Sequence, residues 1–240
     1  MVSPILCSVI IPVRNEQARI NRTLAALRGI DQGEDLEIIV VDGDRSGSTV
    51  AEIPDRCGVR TLTTAPGRAH QMNAGARLAS GEILLFLHAD TSLPSDALGH
   101  ILKAFLDPQV VAGAFQLQIH SRRWAIRFIA WVANQRSRLT RIPYGDQAIF
   151  IRTGYFRRLG GYAELPLMED VDLMRRIKKR GDRIAFTGAP VETSDRRWER
   201  EGPVYCTLRN WTLVTLYLAG VAPERLVKWY DRVRRDNSSC

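Results

Sequence analysis

Short apolar runs alternate with stretches of helical spacing through the first half of the chain. Cys7-Ser-Val-Ile-Ile-Pro12 and Leu36-Glu-Ile-Ile-Val-Val-Asp42 are apolar runs of strand length, which is how strands covered on both faces read. Between them, Ile20, Leu24 and Leu27 form a helical stripe with Asn15 as N-cap and Gly29 as terminator. The polar run from Gly43 to Thr49 turns into another helix, and Val59-Arg-Thr-Leu-Thr63 makes a short third strand. Pro66-Gly-Arg68 then opens a helix with Met72, Ala76 and Ala79 on one face. Glu82-Ile-Leu-Leu-Phe-Leu-His-Ala-Asp90 follows, a central buried strand with Asp90 at its carboxyl edge. Such alternation predicts right-handed crossovers and an α/β fold with a mostly parallel sheet. In an open sheet of this kind, ligands bind at the carboxyl edge. Three strand-end turns fall there, carrying Asn15 and Glu16, Asp42 and Asp44, and His88 and Asp90.

Beyond Pro94 the pattern changes. A helix is expected around residues 97–105, and the alternation from Val110 to Ile119 suggests an antiparallel or edge strand. Trp124 to Arg138 reads as a helix with Trp124, Phe128, Trp131 and Val132 apolar, and with Arg122, Arg123, Arg127, Arg136 and Arg138 around them. It has the character of a membrane-surface segment, or of a core-packed helix whose arginines reach outward. Tyr144-Gly-Asp-Gln147 opens a strand at Ala148 to Ile151, and Gly160-Gly161 closes a short helix. Met168-Glu-Asp-Val-Asp172 starts a helix that stops at Gly181. A last strand spans Arg183 to Thr187, before Arg196-Arg197-Trp198 and an apolar-basic region. One domain is expected, with the pattern changing near residues 93 and 198 and a helical extension over about 199–240.

Charge narrows the partners. Lysine and arginine number 34 against 26 aspartates and glutamates, so the chain carries +8 and favours an anionic partner. The four cysteines Cys7, Cys57, Cys206 and Cys240 show no metal spacing and read as reduced thiols of a cytoplasmic protein. The amino-terminal apolar run lacks a basic leader and cleavage site, and the run from Trp211 to Ala222 is too short to span a bilayer. Peripheral contact with the inner face of the membrane stays open.

The acidic strand ends carry the candidate chemistry. Asp90 could hold a hard divalent cation that takes its remaining ligands from a diphosphate, or it could cap the turn into Thr91. Asp42, before a glycine, is equally a turn residue. Glu169 and Asp170 sit at a helix start, where the dipole favours carboxylates, and one of them could serve as general base. Arg68, Arg196 and Arg197 could clamp phosphate oxygens, and Trp198 could stack on a sugar or pack under the last helix.

Five segments together resemble a known family. Val9-Ile-Ile-Pro-Val-Arg-Asn-Glu16, Val41-Asp-Gly-Asp-Arg-Ser-Gly-Ser-Thr49, Gly67-Arg-Ala-x-Gln-x-Asn-x-Gly75, Phe86-Leu-His-Ala-Asp90 and Met168-Glu-Asp170 occur in the order and spacing of family 2 glycosyltransferases of the GT-A fold. The chain further resembles a bacterial subgroup of small stand-alone members, sometimes labelled arsenosugar-biosynthesis glycosyltransferases. The resemblance implies a single-domain, Rossmann-like GT-A fold with a small antiparallel portion. It also implies an inverting transferase that moves a sugar from a nucleotide-diphosphate sugar, usually a UDP-sugar, to a hydroxyl acceptor with magnesium or manganese. Carried across, Pro12, Asn15 and Glu16 would line the nucleoside pocket with Asp42 and Asp44 beside it. Arg68 and Asn73 would stand near the phosphates, Asp90 on the metal, Asp170 as base and Glu169 against the acceptor. Arg197-Trp198 resembles the end of a longer motif whose opening glutamine is replaced here by Ser194. Where the family carries Asp-x-Asp, this chain has His88-Ala-Asp90, and imidazole can donate to phosphate or ligate manganese.

Rival classes lack their motifs. No Gly-x-Gly-x-x-Gly follows the first strand and no Gly-x-x-x-x-Gly-Lys-Ser/Thr occurs. A basic module binding nucleic acid or membrane explains the charge but not the acidic rim, and nucleic acid is not expected as a partner.

Overall fold

The computed structural model describes residues 5–30, 36–54, 58–121 and 123–236, with the side chains of 196, 197, 200 and 231–236 left aside. Cys57, Cys240 and Arg122 lie outside the described residues. The first half runs β1 (Cys7–Val13), α1 (Gln17–Ile30), β2 (Leu36–Asp42), the one-turn α2 (Ser48–Ala51), β3 (Val59–Thr63), α3 (Arg68–Leu78) and β4 (Ile83–Phe86). The second half adds β5 (Thr91–Ser92), α4 (Ala97–Ala104), β6 (Val110–His120), α5 (Trp124–Thr140), a 3-10 turn (Gly145–Gln147), β7 (Phe150–Arg152), α6 (Thr153–Leu159), α7 (Glu169–Lys179) and β8 (Arg183–Ser194). Three helices follow: α8 (Arg196–Glu201), α9 (Pro203–Leu218) and α10 (Pro223–Asp236).

All eight strands form one sheet in the order β3-β2-β1-β4-β7-β6-β8-β5. Pairing is parallel across β3, β2, β1 and β4 and again between β6 and β8. It is antiparallel where β7 joins β4 and β6, and where β5 joins β8. The expected α/β architecture is therefore present. Two apolar clusters cover the two faces of the sheet: one builds on Ile10, Ile39 and Leu84, the other on Val9, Ile38 and Leu85. Because adjacent residues of β1, β2 and β4 point into different clusters, these runs are apolar on both faces, with buried Ser8 and Glu37 bonded to each other.

Register places the ends of β1, β2 and β3 level, with β4 ending opposite Ile10, before the end of β1. Val13 pairs with Asp42, Asp42 with Thr63, and Ile10 with Phe86, so β1, β2, β3 and β4 finish on one rim. Since β7 runs against β4, with Leu85 opposite Phe150, the turn ahead of β7 arrives at that rim too.

Several expectations are corrected. The central strand ends at Phe86, and Asp90 lies exposed in a turn closed by the Thr91 amide on the His88 carbonyl. Helix α1 begins after Glu16, whose carbonyl takes the Arg19 and Ile20 amides, so Asn15 is no N-cap but a left-handed residue with φ 58°. Gly29 falls inside α1 rather than ending it. Strand β6 pairs antiparallel with β7, one of the two readings of its alternation, but it is internal rather than an edge, flanked by β7 and β8, and β8 continues through Pro190 to Ser194.

Glycine contacts define one tight approach. A Cβ on Gly75 would lie 2.6 Å from Ile10 Cγ2 and 3.1 Å from Val41 Cγ2, so α3 seats on β1 and β2 only with glycine there. At Gly29 nothing lies within 4 Å. Gly75→Ala is expected to cost about 1–3 kcal/mol through overpacking, whereas Gly29→Ala should gain up to about 1 kcal/mol of helix stability. Urea unfolding midpoints moving in opposite directions are the expected result.

Candidate functional site

Asp170 stands in the first turn of α7, where Met168 holds a left-handed conformation (φ 72°, ψ 20°) that aims the following residues back at the sheet. Its Oδ2 accepts the Gly145 amide at 2.6 Å and its Oδ1 the Val171 amide at 2.7 Å. A Cβ built on Gly145 would sit 3.2 Å from His88 Nε2 and 3.4 Å from Asp170 Oδ2. The imidazole after β4, the carboxylate of α7 and the turn ahead of β7 therefore meet in one small volume at the rim.

Glu169, beside it, is buried, and Arg68 Nε approaches its Oε1 at 3.8 Å. Burial pushes the Glu169 carboxyl up to about 7; Arg68 opposes that rise and Asp170 adds to it. Arg68, about half exposed, thus reaches the Glu169-Asp170 pair from the start of α3.

Two residues not singled out for the site complete it. The Arg136 guanidinium lies over the Tyr144 ring at 3.3 Å to its centroid. Burial lowers the Arg136 pKa from its usual value, against the attraction of Tyr144, Asp146 and Asp170. Burial likewise pushes the Tyr144 hydroxyl up to about 12. The turn they flank is fixed by buried Gln147, whose Oε1 accepts from Ser137 Oγ at 2.6 Å and whose Nε2 donates to the Phe115 carbonyl at 3.1 Å. The Tyr-Gly-Asp-Gln run was the available signal, since a 3-10 turn packed with a fully engaged glutamine needs that polarity in an apolar setting.

Other expected site residues prove to be builders of the rim. Asp42 is fully buried: its Oδ1 accepts the Asp44 amide, and its Oδ2 accepts the Thr49 and Val50 amides. It shapes the loop into α2 at the end of β2. Asn73 spends both ends of its amide on Tyr162, donating to that carbonyl and accepting from that amide. Tyr162 in turn packs edge-on to Phe86 at 4.9 Å, and Arg176 bonds the Leu159 and Gly161 carbonyls, so α3, α7 and the end of β4 are tied together. Gln71, also not singled out, donates to the Val13 and Val41 carbonyls and stitches the ends of β1 and β2.

Trp198 is buried against Leu117, Ile119, Ile126, Ala130 and Cys206, so it packs under the helices and offers no free stacking face. Arg197 lies in α8, but its side chain is outside the described residues. Near β1, Glu16 pairs with Arg19 and its amide donates to Thr49 Oγ1, which binds the start of α1 to the loop after β2. Pro12 is half-buried at the end of β1, with Asn15 exposed beyond it. Asp44 is half-buried, and its carboxyl is held below its usual range by the Ser46 hydroxyl and amide and by Ser48.

Asp90 remains as a solvent-facing carboxylate on the rim, its turn anchored by Thr23 Oγ1 donating to the Ala89 carbonyl at 2.7 Å. Among the described residues no group of three or more His, Cys, Asp or Glu side chains forms a metal cage. The donor set fits a hard cation that one carboxylate holds and a ligand's oxygens complete.

Comparison with known proteins bears on what this rim is for. The family model "Glycosyl transferase family 2" matches residues 8–160. The chain is 27% identical over 218 residues to the probable glycosyltransferase YdaM of Bacillus subtilis (strain 168), covering 81% of this chain and 50% of that protein. It is also 27% identical over 244 aligned positions to the pre-mycofactocin glycosyltransferase of Mycobacterium tuberculosis (strain ATCC 25618 / H37Rv), covering 94% and 48%. The chain thus spans about half the length of the curated relatives it matches. Among solved structures, the mannosyltransferase PcManGT from Pyrobaculum calidifontis, in complex with GDP-Man and Mn2+, superposes with TM-score 0.62 at 23% identity, over 78% of this chain and 56% of that one. S. aureus TarS 1–349 does so with TM-score 0.63 at 17% identity, over 92% and 68%. At that identity the likeness is one of fold, the GT-A type. With its family model covering residues 8–160 of 240, this chain belongs to glycosyl transferase family 2.

Proposed function

We propose that the protein is an inverting glycosyltransferase that moves a sugar from a nucleotide-diphosphate sugar, a UDP-sugar by preference, to a hydroxyl acceptor. The observation that carries this reading is the convergence of Asp170, His88 and the Gly145 turn at the rim where the parallel strands end. In one displacement the acceptor oxygen bonds to the anomeric carbon as the bond from that carbon to the diphosphate oxygen breaks. The departing oxygen keeps the bonding electron pair, and Asp170 takes the acceptor's proton. Two backbone amides on Asp170 hold the carboxylate in place without filling all its lone pairs, so it can still accept that proton.

Pro12, Asn15, Glu16 and Asp44 flank the nucleoside in this reading, and Arg68 and His88 stand toward the phosphates. Glu169 faces the acceptor, and its burial makes it the residue most ready to hold a proton beside Asp170. Asp90 would hold Mg2+ or Mn2+, which would supply positive charge to the leaving diphosphate. The mannosyltransferase structure with GDP-Man and Mn2+ supports such a cation in this fold. Donor sugar and acceptor follow from segments outside the shared rim, and the relatives' greater length keeps both open.

Asp170→Asn is expected to bind donor normally and lose about 10²–10⁴-fold in transfer rate; single-turnover assays with saturating donor check it, and full transfer would sink the assignment. Asp90→Ala should lose the manganese-dependent part of the thermal shift given by nucleotide diphosphates; an unchanged shift would remove Asp90 from the metal. For Glu169, the folded carboxyl at about 7 lies above its ordinary 4.5, so its protonated form favours folding. That contribution is full below 4.5 and is lost as pH rises to about 7. Glu169→Gln should therefore flatten the pH dependence of Tm across that window, measured by calorimetry.

A further inference from the structure

Helix α5 turns its faces the opposite way from a helix bounded by water. Ile126, Ala130, Asn134 and Ser137, at 4, 8 and 11 residues from the first, form the inner face. Ile126 and Ala130 pack with Trp198 and Cys206, and Asn134 clasps the Leu117 amide and carbonyl. The outer face carries Trp124, Arg127, Phe128, Trp131, Arg138 and Leu139, all exposed and again at helical spacing. Trp124 is 77% exposed and Leu139 84%, and the Phe128 and Trp131 rings stack on one another at 5.7 Å in the open. Helix α9, packed beside α5, exposes Val204, Leu208 and Trp211. Neither helix contains an aspartate or glutamate. The aromatic side of α5, which the sequence left either core-packed or surface-seeking, is on the surface.

We propose that this face of α5, extended by α9, docks on an anionic lipid bilayer. Indole rings settle at the boundary between headgroups and acyl chains, where an apolar body and a polar N–H are both accommodated. Arg123, Arg127 and Arg138 border the rings with planar donors that match lipid phosphates, and the chain's +8 charge adds attraction toward an acidic surface. A second copy is a poor occupant: a two-fold contact sets this patch against itself, so the arginines would face a surface whose two helices carry no carboxylate to answer them.

The inner side of the same helix reaches the site. Ser137 bonds Gln147, and Arg136 lies over Tyr144. A helix with its side chains is about 10–12 Å across, so the bilayer surface and the rim are separated by little more than α5. A hydroxyl carried by a membrane amphiphile is the acceptor class this placement suits, a consequence that rests on the transferase reading, whereas docking itself does not.

Flotation of the protein with phosphatidylcholine vesicles, with and without phosphatidylglycerol, tests the proposal in the absence of nucleotide. The expected result is co-flotation with the anionic vesicles only, weakened by salt. Replacing Trp124, Phe128 and Trp131 together by serine should lower the bound fraction about tenfold or more while circular dichroism stays unchanged. Arg127→Gln with Arg138→Gln should remove the preference for phosphatidylglycerol. Should the serine variant misfold, quenching of the unmutated protein's tryptophans by brominated acyl chains gives the answer, and its absence overturns the proposal. So do binding left intact in a folded serine variant, or a dimer in solution that the serine variant converts to monomer. Failure of flotation with donor binding intact rejects docking alone; flotation without any response to nucleotide sugars rejects the transferase reading alone.

Discussion

The hydrogen bond from the Gly145 amide to Asp170 Oδ2, 2.6 Å long, joins the turn at the head of β7 to the first turn of α7. Neither partner would be at the rim without the sheet. Strand β7 is pinned antiparallel to β4 by three register pairs, and this delivers Gly145 next to His88 rather than at the far edge. A slip of one residue would reverse which β7 side chains face each layer, and Phe150 and Ile151, both fully buried in different clusters, make that slip costly. The site is thus positioned by the register of a three-residue strand.

Backbone conformation around the rim is uncommon in the same places. Among the described residues, the non-glycine residues with positive φ are Asn15, Arg141, Ala148 and Met168. Each such residue costs on the order of 1 kcal/mol or more. Asn15 ends the first strand-to-helix turn, Ala148 follows the 3-10 turn, and Met168 precedes Glu169. What holds them is the buried polar framework: Gln147 on Ser137 and Phe115, Asn73 on Tyr162, Gln71 on Val13 and Val41. A satisfied network of this kind fixes one arrangement, because breaking any member strands a buried partner.

That framework explains what the sequence discloses and what it conceals. Strands buried on both faces announce themselves, and β2 spans the residues its apolar run marks out. Strand β8 extends beyond its expected end because Gly188 and Pro190 read as terminators, yet a register shift after Ala114 lets β6 continue to pair past them. Asp42 reads in the sequence either as a turn residue or as a ligand, and its three amide bonds show the turn that it makes. Arg136 carries no local signal and Tyr144 only that of its polar run, because their meeting with Asp170 is made by tertiary packing between residues far apart in the chain. Periodicity could locate two faces on α5 but not choose the inner one, since both carry apolar residues.

The choice follows from what β6 and the Gly145 turn require. Leu117 needs a donor and an acceptor for its amide and carbonyl where the sheet offers none on that side, and Asn134 supplies both; Ser137 supplies the donor for Gln147. With small and amide side chains committed inward, no large apolar residue of α5 beyond Ile126 is fully buried. Each exposed ring then leaves apolar surface in water at roughly 25 cal/mol per Å², and more than half of Trp124, Phe128 and Trp131 stays open in spite of the stacked pair. Folding alone gives no reason for Trp124, Phe128 and Trp131 at these positions. An apolar boundary supplied from outside the molecule does, and the arginines between the rings specify that this boundary carries negative charge.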